Sequence, residues 1–395
     1  MMPTEQRQKL ALGLFMPNCS NMPSISTHRV VKDQWTYEHN ESLALAAEGY
    51  GFEYLFPVSR WRGFGGETNF LGTSLETTTW AAALLRATSS INVFSTVHIP
   101  LFHPFVVAKM GATLSHMSGN RWGLNVVSGW SEREFGMMGI SLAEHARRYE
   151  RTSCFVEILQ KLWSAEAQPF DYDCDWYSVS GGESSPIPDV PPMIANAGVS
   201  EDAKIMTARL CDWAFISTPS VDVVGSIIDD IALKAEGFGR SVKTAIFPFL
   251  IWGESRAEAE DRLASIISEK DEVATANWLH DLSAGSGSFD AFTSDMLAAS
   301  GGGVHMVGSA ADVAEQLIDA HRAGVSAVML TFPEYLDDLH RFAKEIQPTL
   351  LKADCIAANW ISIRAVKWLL PLHRGDTTDL NPSTAGTEVI STLTR

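Results

Sequence analysis

The sequence predicts an α/β protein in which eight strand–helix units close into a (β/α)8 TIM barrel. Short apolar runs alternate with amphipathic helical stretches almost from end to end. The apolar runs lack strict polar–apolar alternation, which is typical of parallel strands covered on both faces. The length of 395 residues and the 46% hydrophobic content suffice for one large barrel domain. Periodicity alone leaves a doubly wound sheet open as the alternative.

The strands are predicted from runs of about four to eight residues, rich in β-branched and aromatic side chains. In chain order they are 10–16, 54–58, 91–96, 123–127, 193–197, 213–216, 245–252 and 327–331. The helices are predicted where apolar residues recur every three or four positions and so share one helix face. In chain order they are 37–48, 75–87, 105–118, 147–164, 200–210, 221–236, 255–272 and 336–346. One helix follows each strand because each parallel return needs a crossover.

Two insertions interrupt this alternation. Residues 168–192 are predicted to form a short hairpin and a loop, and residues 283–303 are rich in Gly, Ser and Ala. A long flexible stretch on the C-terminal side of a barrel strand is a candidate lid, so we expect residues 283–303 to be mobile without substrate. We expect one barrel domain over residues 1–350 and a C-terminal extension over residues 351–395.

Composition and charge argue against several classes of protein. The formal net charge is −17 and Lys and Arg form no cluster, whereas nucleic-acid binding needs basic surface. No apolar run approaches the ~20 residues of a membrane-spanning helix. The chain starts without an apolar signal segment, and its five scattered cysteines form no CxxC pair. We therefore expect a cytoplasmic protein with reduced thiols, no metal site, no membrane contact and no nucleic-acid partner.

Polar residues follow the second, third and fourth predicted strands, where a barrel places its active site. After the second strand, Ser59 and Arg60 precede a glycine-rich stretch, and an arginine there suits an anion. Thr96 and Asn125 bring a hydroxyl and a carboxamide to the ends of neighbouring strands, where they could bind a ligand. The alternatives are a plain surface loop for the first pair and local backbone hydrogen bonds for the second.

A second set of polar residues lies near two helix starts. Ser200 opens a helix directly after a strand, where a hydroxyl beside helix N–H groups could contact a phosphate; helix capping is the alternative. Arg148 and Tyr149 lie in a charged helix start, for which a solvated face is the alternative. His98 and His103 flank an Ile-Pro-Leu-Phe run and are expected to edge a pocket, not to act as catalytic bases.

These motifs together resemble the luciferase-like flavin monooxygenases. The run 123–130 (GLNVVSGW), with Glu134 after it, is similar to the signature of that family. Residues 62–66 (RGFGG) add a resemblance to its pyrimidine oxygenases, and the dimethyl sulfone monooxygenases are also similar around 125–130 and 148–149. Val-Gly-Ser at 307–309, before a helix, resembles the family's entry to its last unit. The resemblance covers roughly residues 10–350 and implies a barrel of the luciferase-like type.

Carried onto matching positions, the resemblance implies a flavin site beside an oxygen pocket. Thr96 and Asn125 would be the catalytic residues of that pocket. The flavin contacts would come from Ser59, Arg60, Asn125 and Glu134, and, at the ribityl-phosphate end, from Arg148, Tyr149 and Ser200.

The sequence departs from the pyrimidine oxygenases around the expected substrate pocket. Arg60 replaces a lysine, which keeps the charge but changes the geometry. His98, Phe102 and His103 stand where those enzymes have small, hydroxyl-bearing residues. Together with Trp130, these side chains predict a bulkier and more aromatic substrate pocket, which argues against uracil itself as the substrate.

The resemblance also implies a two-component system. A separate NAD(P)H-dependent flavin reductase would supply reduced FMN, and this chain, as a homodimer or homotetramer, would react it with O₂. The reaction would cleave a C–N, C–S or C–halogen bond of a small aromatic or heteroaromatic substrate, through a flavin peroxide or a flavin N5-oxide.

Three alternatives remain at the level of the sequence. A deazaflavin-dependent oxidoreductase would share the barrel, but the 125–130 motif argues against it. A non-catalytic flavin-binding subunit is disfavoured by the joint presence of Thr96, Asn125 and Glu134. An unrelated barrel lyase or hydrolase would need an acid–base pair or a metal site, and the sequence shows neither signal.

Overall fold

The computed structural model describes residues 8–28, 33–285 and 292–357. Within these ranges the strands are β1 (Ala11–Met16), β2 (Tyr54–Pro57), β3 (Asn92–His98), β4 (Trp122–Val127), β5 (Phe170–Asp173), β6 (Ser178–Gly182), β7 (Met193–Asn196), β8 (Trp213–Ile216), β9 (Lys243–Ile246), β10 (Pro248–Gly253), β11 (Val304–Ser309) and β12 (Ala327–Leu330). The helices are α1 (Tyr37–Gly49), α2 (Thr77–Ala87), α3 (Pro104–Ser118), α4 (Glu132–Gly136), α5 (His145–Leu162), α6 (Glu201–Leu210), α7 (Val221–Gly237), α8 (Arg256–Ser268), α9 (Glu272–Gly285), α10 (Ser294–Ser300), α11 (Ala310–Arg322), α12 (Tyr335–Glu345) and α13 (Gln347–Lys352).

Eight of the strands form a closed barrel, in the order β1, β12, β9, β8, β7, β4, β3 and β2. All neighbours are parallel, and closure occurs at β1, where Ala11 pairs with Ala327 of β12 and Gly13 pairs with Tyr54 of β2. The predicted TIM barrel is confirmed and the doubly wound sheet is excluded. Because the strands are parallel, their carboxyl ends meet at one mouth of the barrel.

The seventh predicted strand, 245–252, is wrong as a single element. The barrel strand β9 ends at Ile246, and β10 starts at Pro248 and pairs instead with β11 in a separate two-stranded parallel sheet. Pro248 has no N–H to donate to a strand ladder, which favours a break at this position. Its carbonyl accepts hydrogen bonds from the backbone N–H and the hydroxyl of Thr331, 3.0 Å away in both cases.

The first insertion has the predicted form, with β5 and β6 paired antiparallel as a hairpin. The prediction of a mobile lid over 283–303 is wrong where the structure describes that segment. Helix α10 is packed, with Leu297, Ala298 and Ala299 completely buried, and β11 follows it at once. Apolar side chains among the small residues anchor this stretch to the core. Residues 286–291 of the expected lid lie outside the described residues.

Beyond the predicted boundary at residue 350, the described chain stays attached to the barrel. Helix α13 runs to Lys352, and the carbonyl of Cys355 accepts a 2.9 Å hydrogen bond from the backbone N–H of Leu10. Residues 358–395 of the expected extension lie outside the described residues, so the boundary stays a prediction. In the part of the chain that the structure describes, no helix is long and apolar enough to cross a membrane.

Aromatic rings fill the barrel interior. Phe56 and Phe215 stack at 4.6 Å between ring centroids, and Phe215 stacks on Phe247 at 5.4 Å. Phe15 closes the group at 5.0 Å from Phe247. The barrel is therefore packed, and open space is left at the mouth formed by the strand ends.

Candidate active site

A cavity of about 230 Å³ lies at the carboxyl ends of the barrel strands. Its two sides differ in chemistry. The polar side is formed mainly by Ser128, His145, Arg148, Tyr149, Asn196 and Gly198. The apolar side is formed mainly by Phe15, Phe70, Trp130, Phe215, Phe247 and Trp278. A cavity that is mostly apolar with a few converging polar groups is typical of cofactor and substrate sites.

Thr96 and Asn125 lie beside each other, as the sequence predicts. They are paired positions of β3 and β4, and the Asn125 amide Nδ2 donates to the Thr96 hydroxyl at 3.2 Å. The Thr96 hydroxyl in turn donates to the carbonyl of Pro57 at 2.9 Å. Both side chains are buried, and the Asn125 carbonyl Oδ1 has no hydrogen-bond partner among the described residues. A buried acceptor without a donor is costly unless a ligand satisfies it.

Arg60 and Glu134 form a buried ion pair, with 3.5 Å between Arg60 Nη1 and Glu134 Oε2. The guanidinium lies between two rings, 4.6 Å from the centroid of Trp130 and 4.9 Å from that of Phe64. The second Glu134 oxygen accepts a 2.5 Å hydrogen bond from the backbone N–H of Trp61. Burial lowers the pKa of Arg60 and raises the pKa of Glu134, and the charge of each partner opposes the shift of the other. The pair thereby joins the loop after β2 to the segment after β4.

Ser59 faces a different space from the main cavity. With Arg60, Trp61 and the segment 72–76, it lines a shallower cleft of about 340 Å³. Ser59 and Arg60, the flavin contacts predicted in the loop after β2, therefore lie beside the main cavity. Trp130 of the cavity wall packs on Arg60.

Arg148 and Tyr149 line the polar side of the cavity, and Ser200, which is not itself a lining residue, lies beside Tyr149. Ser200 caps α6, since its hydroxyl accepts from the backbone N–H of Ala203 at 3.3 Å. The capping interpretation is therefore correct, and the side chains of Ser200 and Ser128 also lie next to the Tyr149 hydroxyl. Burial raises the pKa of Tyr149 and lowers the pKa of Arg148. Arg148 donates a hydrogen bond to the carbonyl of Gly129.

Gly198 makes close packing possible at this end. A Cβ at this position would overlap the Tyr149 hydroxyl and come within 2.6 Å of the Ala203 Cβ. The absence of a side chain lets the backbone before α6 lie directly against Tyr149. A cationic side chain, hydroxyls and a helix N-terminus together favour an anion such as a phosphate.

The four residues predicted for the substrate pocket lie in different places. Trp130 lines the cavity. His98 is buried against Phe135, at 5.6 Å between ring centroids, and burial followed by the charge of Arg60 lowers its pKa to about 3. His103 is exposed and caps α3 through its Nδ1, and Phe102 packs against the main core. The cavity lining includes none of these last three side chains.

Sequence reasoning missed the contribution of helix α9. Trp278 and Leu282 of this helix line the cavity, four residues apart on one helix face. The sequence contains this signal as a Trp and a Leu at helical spacing before the glycine-rich stretch. The predicted helix 255–272 instead ends at Ser268, and α9 begins at Glu272.

Comparison with known proteins gives consistent results. The family model described as luciferase-like monooxygenase matches residues 12–327. Pyrimidine monooxygenase RutA from Escherichia coli O81 (strain ED1a) is 31% identical over 358 residues, covering 88% of this chain and 93% of that protein.

Solved structures extend the likeness in fold. DmoA from Hyphomicrobium sulfonivorans superposes with a TM-score of 0.76 at 20% identity, covering 89% of this chain and 90% of its own. The riboflavin lyase RcaE, solved with a modified FMN and riboflavin, has a TM-score of 0.77 at 17% identity, covering 92% of this chain and 96% of its own. At these identities the likeness supports the fold alone.

Proposed function

This chain belongs to the luciferase-like monooxygenase family, and we propose that this flavin-dependent monooxygenase uses reduced FMN and O₂ to cleave a carbon–heteroatom bond of a small substrate. One observation carries the proposal: a cavity at the barrel mouth has a polar end that suits an anion and an apolar end, and the buried acceptor of Asn125 directly precedes the lining residue Val126 in β4. A flavin mononucleotide has matching parts, namely a phosphate, a polar chain and a ring system with N–H donors.

The polar end would hold the phosphate. Arg148 supplies a positive charge there, and the hydroxyls of Tyr149 and Ser200 meet at the N-terminus of α6. Two acidic residues of the first turn of α6 are already paired: Glu201 with Lys204 and Lys234, and Asp202 with His145. The charge of Glu201 is therefore partly balanced by two ammonium groups before an anion binds. The donor set suits a single phosphate, which favours FMN over a dinucleotide.

Asn125 would act on the reacting end. Reduced flavin, when bound, supplies the electrons for O₂ activation, and the protein supplies orientation and electrostatics. The Asn125 amide Nδ2 is hydrogen-bonded to the Thr96 hydroxyl, which is itself fixed to the Pro57 carbonyl. Asn125 Oδ1 is therefore the atom left to accept a hydrogen bond from a ligand. Thr96 thus orients Asn125, and the burial of both side chains limits the access of water to them.

The remaining parts of the proposal concern partners and chemistry. We propose a separate NAD(P)H-dependent flavin reductase as the source of reduced FMN, and a homodimer or homotetramer as the assembly. The scissile bond is proposed to be C–N, C–S or C–halogen. The family membership supports these proposals.

An anaerobic titration with reduced FMN, reduced FAD and a reduced deazaflavin, followed by admission of O₂, tests the proposal. We expect the tightest binding for reduced FMN, and O₂ consumption that forms product with a suitable substrate. Tighter binding of the deazaflavin would favour a hydride-transfer enzyme instead. Flavin binding without product formation, with all of the consumed O₂ recovered as H₂O₂, would favour a non-catalytic flavin-binding protein.

A further inference from the structure

Helix α9 supplies a wall of the cavity that is fixed at three points along its length. Asp271, just before the helix, accepts hydrogen bonds from the backbone N–H and the hydroxyl of Thr68, at 2.7 and 2.9 Å. Asn277 donates to the carbonyl of Phe64 at 2.7 Å. Near the C-terminus of the helix, the buried Asp281 accepts from the Ser131 hydroxyl at 2.9 Å. A wall held at both ends and in the middle presents its side chains in a defined orientation.

Trp278 is the centre of an aromatic cluster on this wall. Its ring meets Phe64, Phe70 and Trp130 edge to face, with centroid distances of 4.7, 5.4 and 5.7 Å. Trp130 is fixed from its other side by the guanidinium of Arg60. Edge-to-face contacts are the geometry that aromatic rings prefer, so the cluster is well packed without a ligand.

The distribution of charge in the cavity limits what can lie against this wall. Among the described lining residues, the guanidinium of Arg148 carries a charge, and both Arg148 and the imidazole of His145 lie on the polar side. The side bounded by Trp278, Phe70, Phe215 and Phe247 offers rings and no counter-ion. An anion or cation placed there would lose hydration without a compensating partner, which disfavours its binding.

We propose that Trp278 determines substrate specificity and that the substrate is an uncharged molecule with an aromatic ring that packs against its indole. This inference rests on the proposed function, since it assigns the polar end and the adjoining part of the apolar end to the cofactor, and the wall formed by Trp278 to the substrate. It places charged sulfonates, carboxylates and aminopolycarboxylates outside the substrate range. Neutral aromatic amides, sulfones and halides remain within it.

Matched pairs of neutral and anionic probes test the charge requirement. Methyl phenyl sulfone is compared with benzenesulfonate, and benzamide with benzoate, by ligand-observed NMR on the full chain with and without FMN. We expect the neutral member of each pair to bind at least about tenfold more tightly, the equivalent of ~1.4 kcal/mol. Equal binding of both members, or the absence of binding by both neutral probes, would overturn the inference.

Variants of α9 test the role of the indole. Trp278→Leu keeps an apolar side chain and removes the ring, and we expect it to weaken binding of the neutral probes by up to about tenfold, the scale of an aromatic pair contact. Trp278→Phe keeps a ring and should retain most of the affinity. The matched control is Val273→Ala on the same helix, since Val273 is exposed. Unchanged probe affinity in Trp278→Leu would overturn the assignment of Trp278.

Reduced-FMN affinity, measured in the same proteins, separates this inference from the proposed function. Variants that bind FMN normally but lose the neutral probes support both proposals. A protein that binds the probes through Trp278 but binds no reduced FMN would refute the proposed function and leave the apolar binding site in place. Normal FMN-dependent turnover, together with probe binding that does not change when Trp278 is replaced, would support the proposed function and refute this inference.

Discussion

Asn125 is held in one orientation by two successive hydrogen bonds, and this makes its free oxygen a defined chemical group. The Pro57 carbonyl fixes the Thr96 hydroxyl, and that hydroxyl fixes the Asn125 amide. The exposed surface of Asn125 is 3% of its maximum, so water has little access to the remaining acceptor. A preorganised polar group in such surroundings acts strongly on charge that develops nearby.

Replacement of Asn125 tests this role. We expect Asn125→Leu to fold and to bind reduced FMN, but to lower the rate of product formation by ~10²–10³-fold, because it removes a polar contact of the oxygen-transfer step. O₂ would then be reduced to H₂O₂ without product. Product and H₂O₂ are measured together, with Asn92→Leu at the opposite end of β3 as the control. A normal product yield would show that Asn125 has a structural role only.

Ser200 has one structural role and one proposed role, and a suitable control can separate them. As the N-cap of α6 it stabilises the helix, and its loss costs about 0.5–2 kcal/mol of folding free energy. As a phosphate contact, Ser200→Ala should also weaken FMN binding by about 1–2 kcal/mol. Ser255→Ala removes the equivalent cap of α8 and should lower stability without a change in FMN affinity. Equal FMN affinity in both variants would remove Ser200 from the cofactor site.

His98 makes the stability of the protein depend on pH. Burial, reinforced by Arg60, lowers its pKa to about 3, whereas the unfolded chain titrates near 6.5. As the pH falls from about 6.5 towards 3, His98 is protonated in the unfolded state but stays neutral in the folded state. The free energy of unfolding therefore decreases. The loss is about 1.4 kcal/mol per pH unit for this residue.

Urea unfolding of His98→Phe at several pH values between about 7 and 5 measures this effect. Phenylalanine keeps the ring that packs on Phe135 and cannot be protonated. We expect the free energy of unfolding of the unchanged protein to fall relative to that of the variant as the pH is lowered. Parallel curves would mean that His98 is not the group responsible.

The residue-level predictions succeed where local chemistry decides the outcome. The proximity of Thr96 and Asn125 follows from strand ends in neighbouring units, and the cap at Ser200 follows from a serine at a helix start. The surroundings of Arg60 could not be predicted, because Phe64 and Trp130 come from different loops and meet only in the folded barrel. His103 was misleading because a histidine before Pro104 also suits a helix cap.

At the scale of elements, α9 shows how a structural helix becomes part of an active site. Its anchoring residue Asp281 is buried, accepts from Ser131 and lies 3.6 Å from the guanidinium of Arg133. These contacts tie the helix to the segment that follows β4. The position of the cavity wall therefore depends on a buried carboxylate outside the cavity.

Removal of this anchor should loosen the wall. We expect Asp281→Ala to lower the free energy of unfolding by about 1–3 kcal/mol, because the buried Ser131 hydroxyl and Arg133 lose their partner. Hydrogen exchange of the α9 amides should accelerate, while that of the barrel strands should not. Asp295→Ala is the control, since Asp295 forms an exposed pair with Lys270 and such pairs contribute little. Unchanged exchange in α9 would contradict the anchoring role.

The boundaries of elements were harder to predict than their existence. The apolar run 245–252 gave no sign of a break except Pro248, and the two halves have different partners, β8 and β12 on one side and β11 on the other. The junction of α8 and α9 is likewise marked only by the capping residue Asp271. In both places contacts between residues far apart in the chain decide where one element ends and the next begins. The local composition does not predict these contacts.

At the scale of the whole molecule, the barrel was predictable because its periodicity repeats eight times. Each unit alone is ambiguous, but a repeated alternation of buried strands and amphipathic helices restricts the fold to very few topologies. No local motif predicts that the sheet closes into a barrel. Closure is seen only in the structure, where β1 pairs with both β2 and β12. The expected lid failed for a related reason, since Leu297 has its packing partners far away in the chain.

The stacked rings of Phe15, Phe56, Phe215 and Phe247 make the cavity a dead end. Beneath it, in the described part of the chain, the barrel axis is filled with buried side chains, so exchange with solvent proceeds through the mouth above. When two molecules share a space with one entrance, the deeper one departs only after the shallower one has gone. For the cofactor and substrate proposed for this cavity, a single entrance implies an ordered release, in which the molecule that entered last would control how long the first one stays.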